Sequence, residues 1–239
     1  MSDQKAVTEM FDDISPRYDF LNHLLSFHID KVWRRKTSKQ VAIGHPTAIL
    51  DVATGTADLA IRMAKDMPSA TITGIDLSER MLEIGKRKVK QKQLEQRVKL
   101  MTANAMSLPF EDHCFDAVTV AFGVRNFEHL ESGLQEMFRV VKEGGQIAIL
   151  EFSHPKNGIV KWPYRVYSRH IMSKVGRMFS KHPTAYSYLP HSIEAFHESD
   201  DFIQLLVRLG LTDIVEKTFF GGIATLYYGN VQKKQFTSQ

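Results

Sequence analysis

From Ala48 onward, short β-branched and aliphatic runs alternate with segments of helical period, and this alternation restricts the fold more than any other feature. Strand patterns lie at 48–54, 71–77, 98–103, 115–122 and 145–152, with helical patterns at 57–66, 78–92 and 130–142 between them. Strands separated by helices cannot close tight hairpins. They pair in parallel through right-handed crossovers, which predicts an α/β, Rossmann-like, doubly wound sheet. Helix 78–92 opens on a plausible cap, Ser78-Glu79, and Gly144-Gly145 is expected to close helix 130–142. Further on, 195–209 reads as a helix, and 211–220 and 224–233 read as strands joined at Gly221-Gly222. So short a link requires antiparallel neighbours.

A parallel sheet finished by an antiparallel pair is the usual shape of class I S-adenosylmethionine-dependent methyltransferases. Ligands of such sheets bind outside the carboxyl ends of the strands. The first strand runs into Thr54-Gly55-Thr56-Ala57 and then a helix start, a layout that brings backbone N–H groups to an adenosine-bearing ligand. Strand 71–77 carries Asp76, whose carboxylate can accept both hydroxyls of a ribose. The turn is not G-x-G-x-x-G, which weakens a nicotinamide-dependent oxidoreductase as the rival. After the third strand come Asn104, Ala105 and Met106, a polar then apolar pair suited to an adenine edge and face. After the fourth come Ala121, Phe122, Gly123, Val124, Arg125 and Asn126.

Composition narrows the class. With 43% hydrophobic and 24% charged residues, the 239-residue chain can bury a sizeable core. One cysteine, Cys114, excludes a disulfide framework and a cysteine-rich metal site, and fits a reducing cytoplasm. The opening residues lack an apolar signal region, so secretion is not expected, and no run is long enough to span a bilayer. The net charge of +4 says little by itself. Its distribution says more: Lys156, Lys161, Arg165, Arg169, Lys174, Arg177 and Lys181 fall among aromatic and aliphatic residues in 155–190, with no acid before Glu194.

Ahead of the sheet, Val7, Met10, Phe11 and Ile14 mark an amphipathic helix expected to break at Ser15-Pro16, and a second begins near Asp30. Phe11, Tyr18 and Trp33 fit plain packing or, with Asp12, Asp19, Asn22 and Arg34, a lid over a pocket.

Several motifs together carry a resemblance. F-D-D-I-S-P-R-Y-D-F-L-N-H-L-L-S at 11–26, W-R-R at 33–35, L-D-V-A-T-G-T-A-D-L-A at 50–60, A-N-A-M-S-L-P-F-E-D at 103–112, A-F-G-V-R-N-F at 121–127 and R-V-V-K-E-G-G-Q-I-A-I-L-E-F-S at 139–153 resemble the menaquinone/ubiquinone biosynthesis C-methyltransferases. The family turn G-G-T-G-D is T-G-T-A-D here, so Ala57 replaces a glycine and a positive φ at that position is not expected.

The resemblance implies a single methyltransferase domain over 1–239: an N-terminal helical lid (1–45), a cofactor-binding core (46–153), a helical basic/aromatic insertion (154–192) and a C-terminal helix and hairpin (193–239). It assigns Thr56, Asp76, Asn104 and Ala105 to S-adenosylmethionine, beside Thr54 and Gly55 of the turn, and implies no metal. It also implies methylation of a ring carbon of a polyprenyl quinol, demethylmenaquinol first. Ring carbon is a poor nucleophile until a neighbouring hydroxyl loses its proton. Arg125 is therefore expected to stabilise phenolate charge, with Asn126 orienting it or the hydroxyl. Tyr18 and Asp19 are expected to hold or deprotonate that hydroxyl, a general base being worth about 10²–10⁴-fold. His154 is a weaker candidate.

The isoprenoid tail would hold the enzyme at the inner face of the membrane, with 155–190 meeting anionic lipid. Nucleic acid is not expected as a partner, and a homodimer is compatible with the sequence. Other readings are a silent S-adenosylmethionine-binding subunit of a quinone-synthesis complex and a methyltransferase for another lipid or phenol.

Overall fold

The computed structural model describes residues 4–153, 155, 162, 192–193, 196 and 199–232. Two N-terminal helices, α1 (Gln4–Leu25) and α2 (Ile29–Ala42), precede the sheet. Then follow β1 (Ala48–Val52), α3 (Asp58–Asp66), β2 (Thr71–Asp76), α4 (Glu79–Gln91), β3 (Val98–Thr102) and β4 (Phe115–Ala121). A 3-10 turn (Val124–Asn126), α5 (Leu130–Val140) and β5 (Val141–Phe152) come next, and α6 (Ser199–Leu209), β6 (Leu211–Phe219) and β7 (Ala224–Val231) end the described chain.

The seven strands lie in the order β3-β2-β1-β4-β5-β7-β6. β1 to β5 are parallel, whereas β7 pairs antiparallel with both β5 and β6. Successive side chains on a strand face opposite sides, so each strand feeds two cores. Ile49, Ala117, Ala148 and Leu150 pack with Trp33, Val41 and Met63 under α2 and α3. Leu50, Val118, Ile147 and Ile149 pack with Leu134, Met137 and Phe202 under α5 and α6. Each of the larger aliphatic side chains among these contributes ~1.5–3 kcal/mol by leaving water. Burial on both faces explains why β1 and β4 are mostly apolar and why Gln146–Phe152 of β5 is largely so.

Two expected breaks fall elsewhere. α1 does not stop at Ser15-Pro16 but runs through Pro16. A proline has no N–H for the carbonyl four residues back, and that carbonyl, Asp12, instead accepts the Ser15 hydroxyl at 2.8 Å. Gly144-Gly145 does not close α5 either. The helix ends at Val140, and the glycines sit inside β5, where the pairing with β4 jumps from Phe115↔Val141 to Ala117↔Gln146. A Cβ at Gly145 would lie 2.8 Å from the Asp116 carbonyl, so the bulge requires glycine there. The Ser78 cap forms as expected, its hydroxyl accepting the Met81 N–H at 3.1 Å, worth ~1 kcal/mol.

Segment 155–190, apart from Pro155 and Trp162, lies outside the described residues, as does His154. No helix among the described residues is long and apolar enough to cross a membrane.

Candidate functional site

β1 and β4 are neighbours whose following segments leave in opposite directions, which opens a crevice at their carboxyl ends. Its floor is built by backbone strain. Ala53 (φ 50°), Gly55 (φ 56°), Ala57 (φ 65°) and Phe122 (φ 61°) are all left-handed. The expectation for Ala57 was wrong. Its methyl, fully buried, keeps the conformation that a glycine would adopt at less cost, about 1–2 kcal/mol for an L-residue. Gly123 completes the floor, since a Cβ there would lie 2.7 Å from that of Ala53.

The crevice is a partly open cleft, with about 780 Å³ of non-atom space once the open solvent at its mouth is included. Gly55 and Asp76 line it from the sheet, Ala105 from the loop after β3, Asn126 from the 3-10 turn, and Phe11 and Tyr18 from α1. Ala53, Ser78, Met81 and Phe127 also line it, although the sequence reading gave none of them a place at the ligand; Phe122, expected after the fourth strand, lines it too. Backbone direction, rather than residue type, brings them in.

The Asp76 carboxylate is oriented before any ligand arrives. It accepts the Gly55 N–H at 2.8 Å and the Ser78 N–H at 3.0 Å. Burial raises its pKa, and those amides oppose the rise. Because each carboxylate oxygen carries two lone pairs, acceptor capacity remains toward the crevice.

Other sequence candidates are engaged away from the crevice. Thr54, almost wholly buried, donates to Asp51 at 2.6 Å. Thr56 donates to Asp19 at 2.5 Å, while Lys88 Nζ donates to Asp19 at 2.8 Å and to Thr56 at 3.1 Å and ion-pairs with Asp58. This cluster ties α1 to the β1–α3 loop and α4. A second tie joins Asp12 to the Ser78 hydroxyl at 2.5 Å. Asn104 caps its own loop, accepting the Met106 N–H at 2.9 Å.

Arg125 does not line the crevice. Nη1 binds Glu151 at 2.6 Å and the Phe122 carbonyl at 2.6 Å, and Nε donates to Ser192 at 3.3 Å. The guanidinium lies 5.3 Å from the Phe152 ring centroid, with 6% of the side chain exposed against 0% for Glu151. Burial raises the Glu151 pKa, and Arg125 pulls it back.

Burial also raises the Tyr18 pKa, against the lowering fields of Arg34 and Arg125 and a hydrogen bond with Asn22. Arg125 therefore reaches Tyr18 through its field. Arg34 is paired with Asp30 at 2.5 Å, and Asp30 also meets His23 at 2.8 Å and Ser26 at 2.6 Å. His23, Asp30 and Asp58 approach one another as metal ligands do, but Arg34 and Lys88 already neutralise the two carboxylates.

Sequence reasoning missed Glu151, Lys88 and Asp51. An acid inside an apolar strand was the available signal for Glu151 and Asp51. Lys88 gave none, because a lysine on an amphipathic helix reads as solvated. Asp51 is buried, accepts Thr54 and Thr119 hydroxyls, and has its pKa pushed up to about 6 by burial.

The ubiE/COQ5 methyltransferase family model matches residues 1–231. A demethylmenaquinone methyltransferase from Porphyromonas gingivalis is 42% identical over 226 residues, covering 94% of this chain and 92% of its own. A ubiquinone/menaquinone biosynthesis C-methyltransferase UbiE from Geotalea daltonii is 43% identical, covering 94% and 96%. Among solved structures, the [4+2]-cyclase SpnF has a TM-score of 0.66 at 16% identity, with 97% of both chains covered. A SAM-dependent methyltransferase from Aquifex aeolicus has a TM-score of 0.55 at 17% identity, covering 77% and 82%. A cyclase among these shapes shows that they carry the fold and not the reaction.

Proposed function

Since the chain belongs to the ubiE/COQ5 methyltransferase family, we propose that it methylates a ring carbon of a demethylated polyprenyl quinol, with demethylmenaquinol as the first substrate to test. The observation that carries this reading is the shared placement of Asp76, Tyr18 and Asn126 on one crevice, in a chain 42% identical to a demethylmenaquinone methyltransferase.

S-adenosylmethionine supplies a methyl group already activated by its sulfonium. The crevice suits it: Asp76 is buried, prepositioned by two amides and able to accept ribose hydroxyls, and Gly55 leaves the approach uncrowded. Ala105 and Met106 offer apolar surface to an adenine, and the Asn104 side chain fixes their loop. Thr54 and Thr56 act through the loop they brace.

Tyr18 and Asn126 face the space left for the ring and orient its hydroxyl. Arg125 is a positioning residue that holds residues 122–126 against β5, and its field together with that of Arg34 favours a phenolate beside Tyr18. Asp19 fixes α1 over the crevice by its bonds to Thr56 and Lys88. A quinol whose tail stays in the bilayer places the enzyme at the cytoplasmic face of a membrane.

The test is to supply isotope-labelled S-adenosylmethionine with both demethylated naphthoquinol and benzoquinol and identify the labelled product. Label on neither ring refutes the reading, and S-adenosylhomocysteine binding without turnover would indicate a silent subunit.

A further inference from the structure

The hairpin formed by α1 and α2 exposes an unusual set of side chains. Phe20 is 57% exposed, Leu24 42%, Phe27 72% and Val32 43%. Between Ser15 and Gly44 every exposed side chain is apolar, cationic or histidine. The carboxylates of this stretch are turned inward: Asp19 toward Thr56 and Lys88, Asp30 toward Arg34, His23 and Ser26. Arg17, Phe20 and Leu24 follow one another at spacings of three and four along one face of α1. Lys31, Arg35 and Lys39 do so at spacings of four along α2, and all six are exposed.

The connection between the helices adds strain to exposure. Phe27 (φ 50°) and His28 (φ 60°) are successive left-handed residues at a turn where glycine or asparagine would be cheaper. The fold thus holds a phenyl ring out at the tip of a hairpin, flanked by cations, while the exposed acids of α1, Glu9 and Asp13, lie toward the other end of that helix.

We propose that this hairpin docks the enzyme on an anionic lipid bilayer, with Phe20, Leu24 and Phe27 entering the headgroup–acyl boundary and Arg17, Lys31, Arg35 and Lys39 meeting lipid phosphates. Charge complementarity favours lipid over a protein partner. Protein interfaces are depleted in lysine, whereas aromatic and aliphatic side chains flanked by Lys and Arg are what an anionic interface attracts. Tyr18 of the crevice wall and Phe20 stand two residues apart on nearly opposite faces of α1, so docking would leave the crevice one helix diameter, ~10 Å, behind the docked face. The benefit to catalysis rests on the quinol reading above; the docking itself does not.

The full chain is incubated with vesicles of phosphatidylcholine alone or mixed with phosphatidylglycerol, then separated by flotation. Two variants are compared, F20S/L24S/F27S and K31Q/R35Q/K39Q. Turnover of a short-chain demethylmenaquinol is measured separately without vesicles. The unaltered chain should float with the mixed vesicles and be released by high salt. Each variant should lose at least tenfold in partitioning, while the glutamine variant, altered only on solvated stems, keeps its vesicle-free turnover.

Partitioning unchanged in either variant overturns the proposal. So does a serine variant that converts a dimer to a monomer with vesicle binding intact, which would make the patch a contact with a second copy. Hairpin-dependent flotation by a chain that turns over no quinol supports the docking and sinks the substrate reading.

Discussion

Removing the Glu151 carboxylate should expose how much of the site depends on one buried ion pair. Glu151 is wholly buried, and its oxygens accept Arg125 Nη1 at 2.6 Å and the Phe152 N–H at 2.8 Å. In Glu151→Ala the guanidinium, 6% exposed, keeps only the Phe122 carbonyl and the Ser192 hydroxyl. Leaving one partner of a buried pair uncompensated costs about 3–5 kcal/mol. Glu151→Gln retains an acceptor and loses only the charge, so about 2–3 kcal/mol is expected, near the worth of a hydrogen bond to a charged group.

The double variant Arg125→Met/Glu151→Leu removes both charges and refills the space. Replacements of that kind are often neutral, so it should sit within about 2 kcal/mol of the parent. Urea unfolding followed by circular dichroism, at unchanged m-value, measures all three. A Glu151→Ala cost below ~1 kcal/mol, or a double variant no more stable than Glu151→Ala, would refute the buried-pair reasoning. In that event Arg125 would be available to act on substrate directly.

Asp76→Ala should weaken S-adenosylhomocysteine binding at least tenfold in calorimetry while Arg125→Met spares it; equal losses would contradict the assignment of Asp76 to the cofactor. Asp51 has a folded pKa of about 6 against 3.8 unfolded, so the native state holds the extra proton. Its stabilising effect is complete below pH 3.8 and is lost as pH rises through about 6, by up to about 3 kcal/mol. Asp51→Asn should therefore gain on the parent between pH 4 and pH 7 in urea titrations, and a difference flat with pH would refute this. Ala57→Gly trades about 1–2 kcal/mol of left-handed strain against ~0.8 kcal/mol of methyl burial and ~0.5–1 kcal/mol of chain entropy. Its thermal midpoint should scarcely move, whereas Ala57→Val should unfold several degrees earlier.

By itself the sequence determined the layered architecture, because hydrophobic period is a local property. Runs such as those of β1 and β4 have no exposed face to offer water, the helices carry one apolar stripe each, and the link at Gly221-Gly222 is too short for anything but an antiparallel pair. It also determined the presence of Asp76 at the end of β2, since an acid there follows from position in the repeat.

Tertiary structure alone decided where side chains point and which local rules are overridden. Gly144-Gly145 becomes a bulge because β4 sets the register. Ala57 accepts a left-handed backbone because the packed loop outweighs a strain of ~1–2 kcal/mol. Arg125 turns from the crevice because a carboxylate 26 positions later in the chain, buried on the neighbouring strand, attracts it more strongly than water does. Such choices depend on partners distant in sequence and brought near only by folding, so no window of residues around Arg125 or Ala57 contains them.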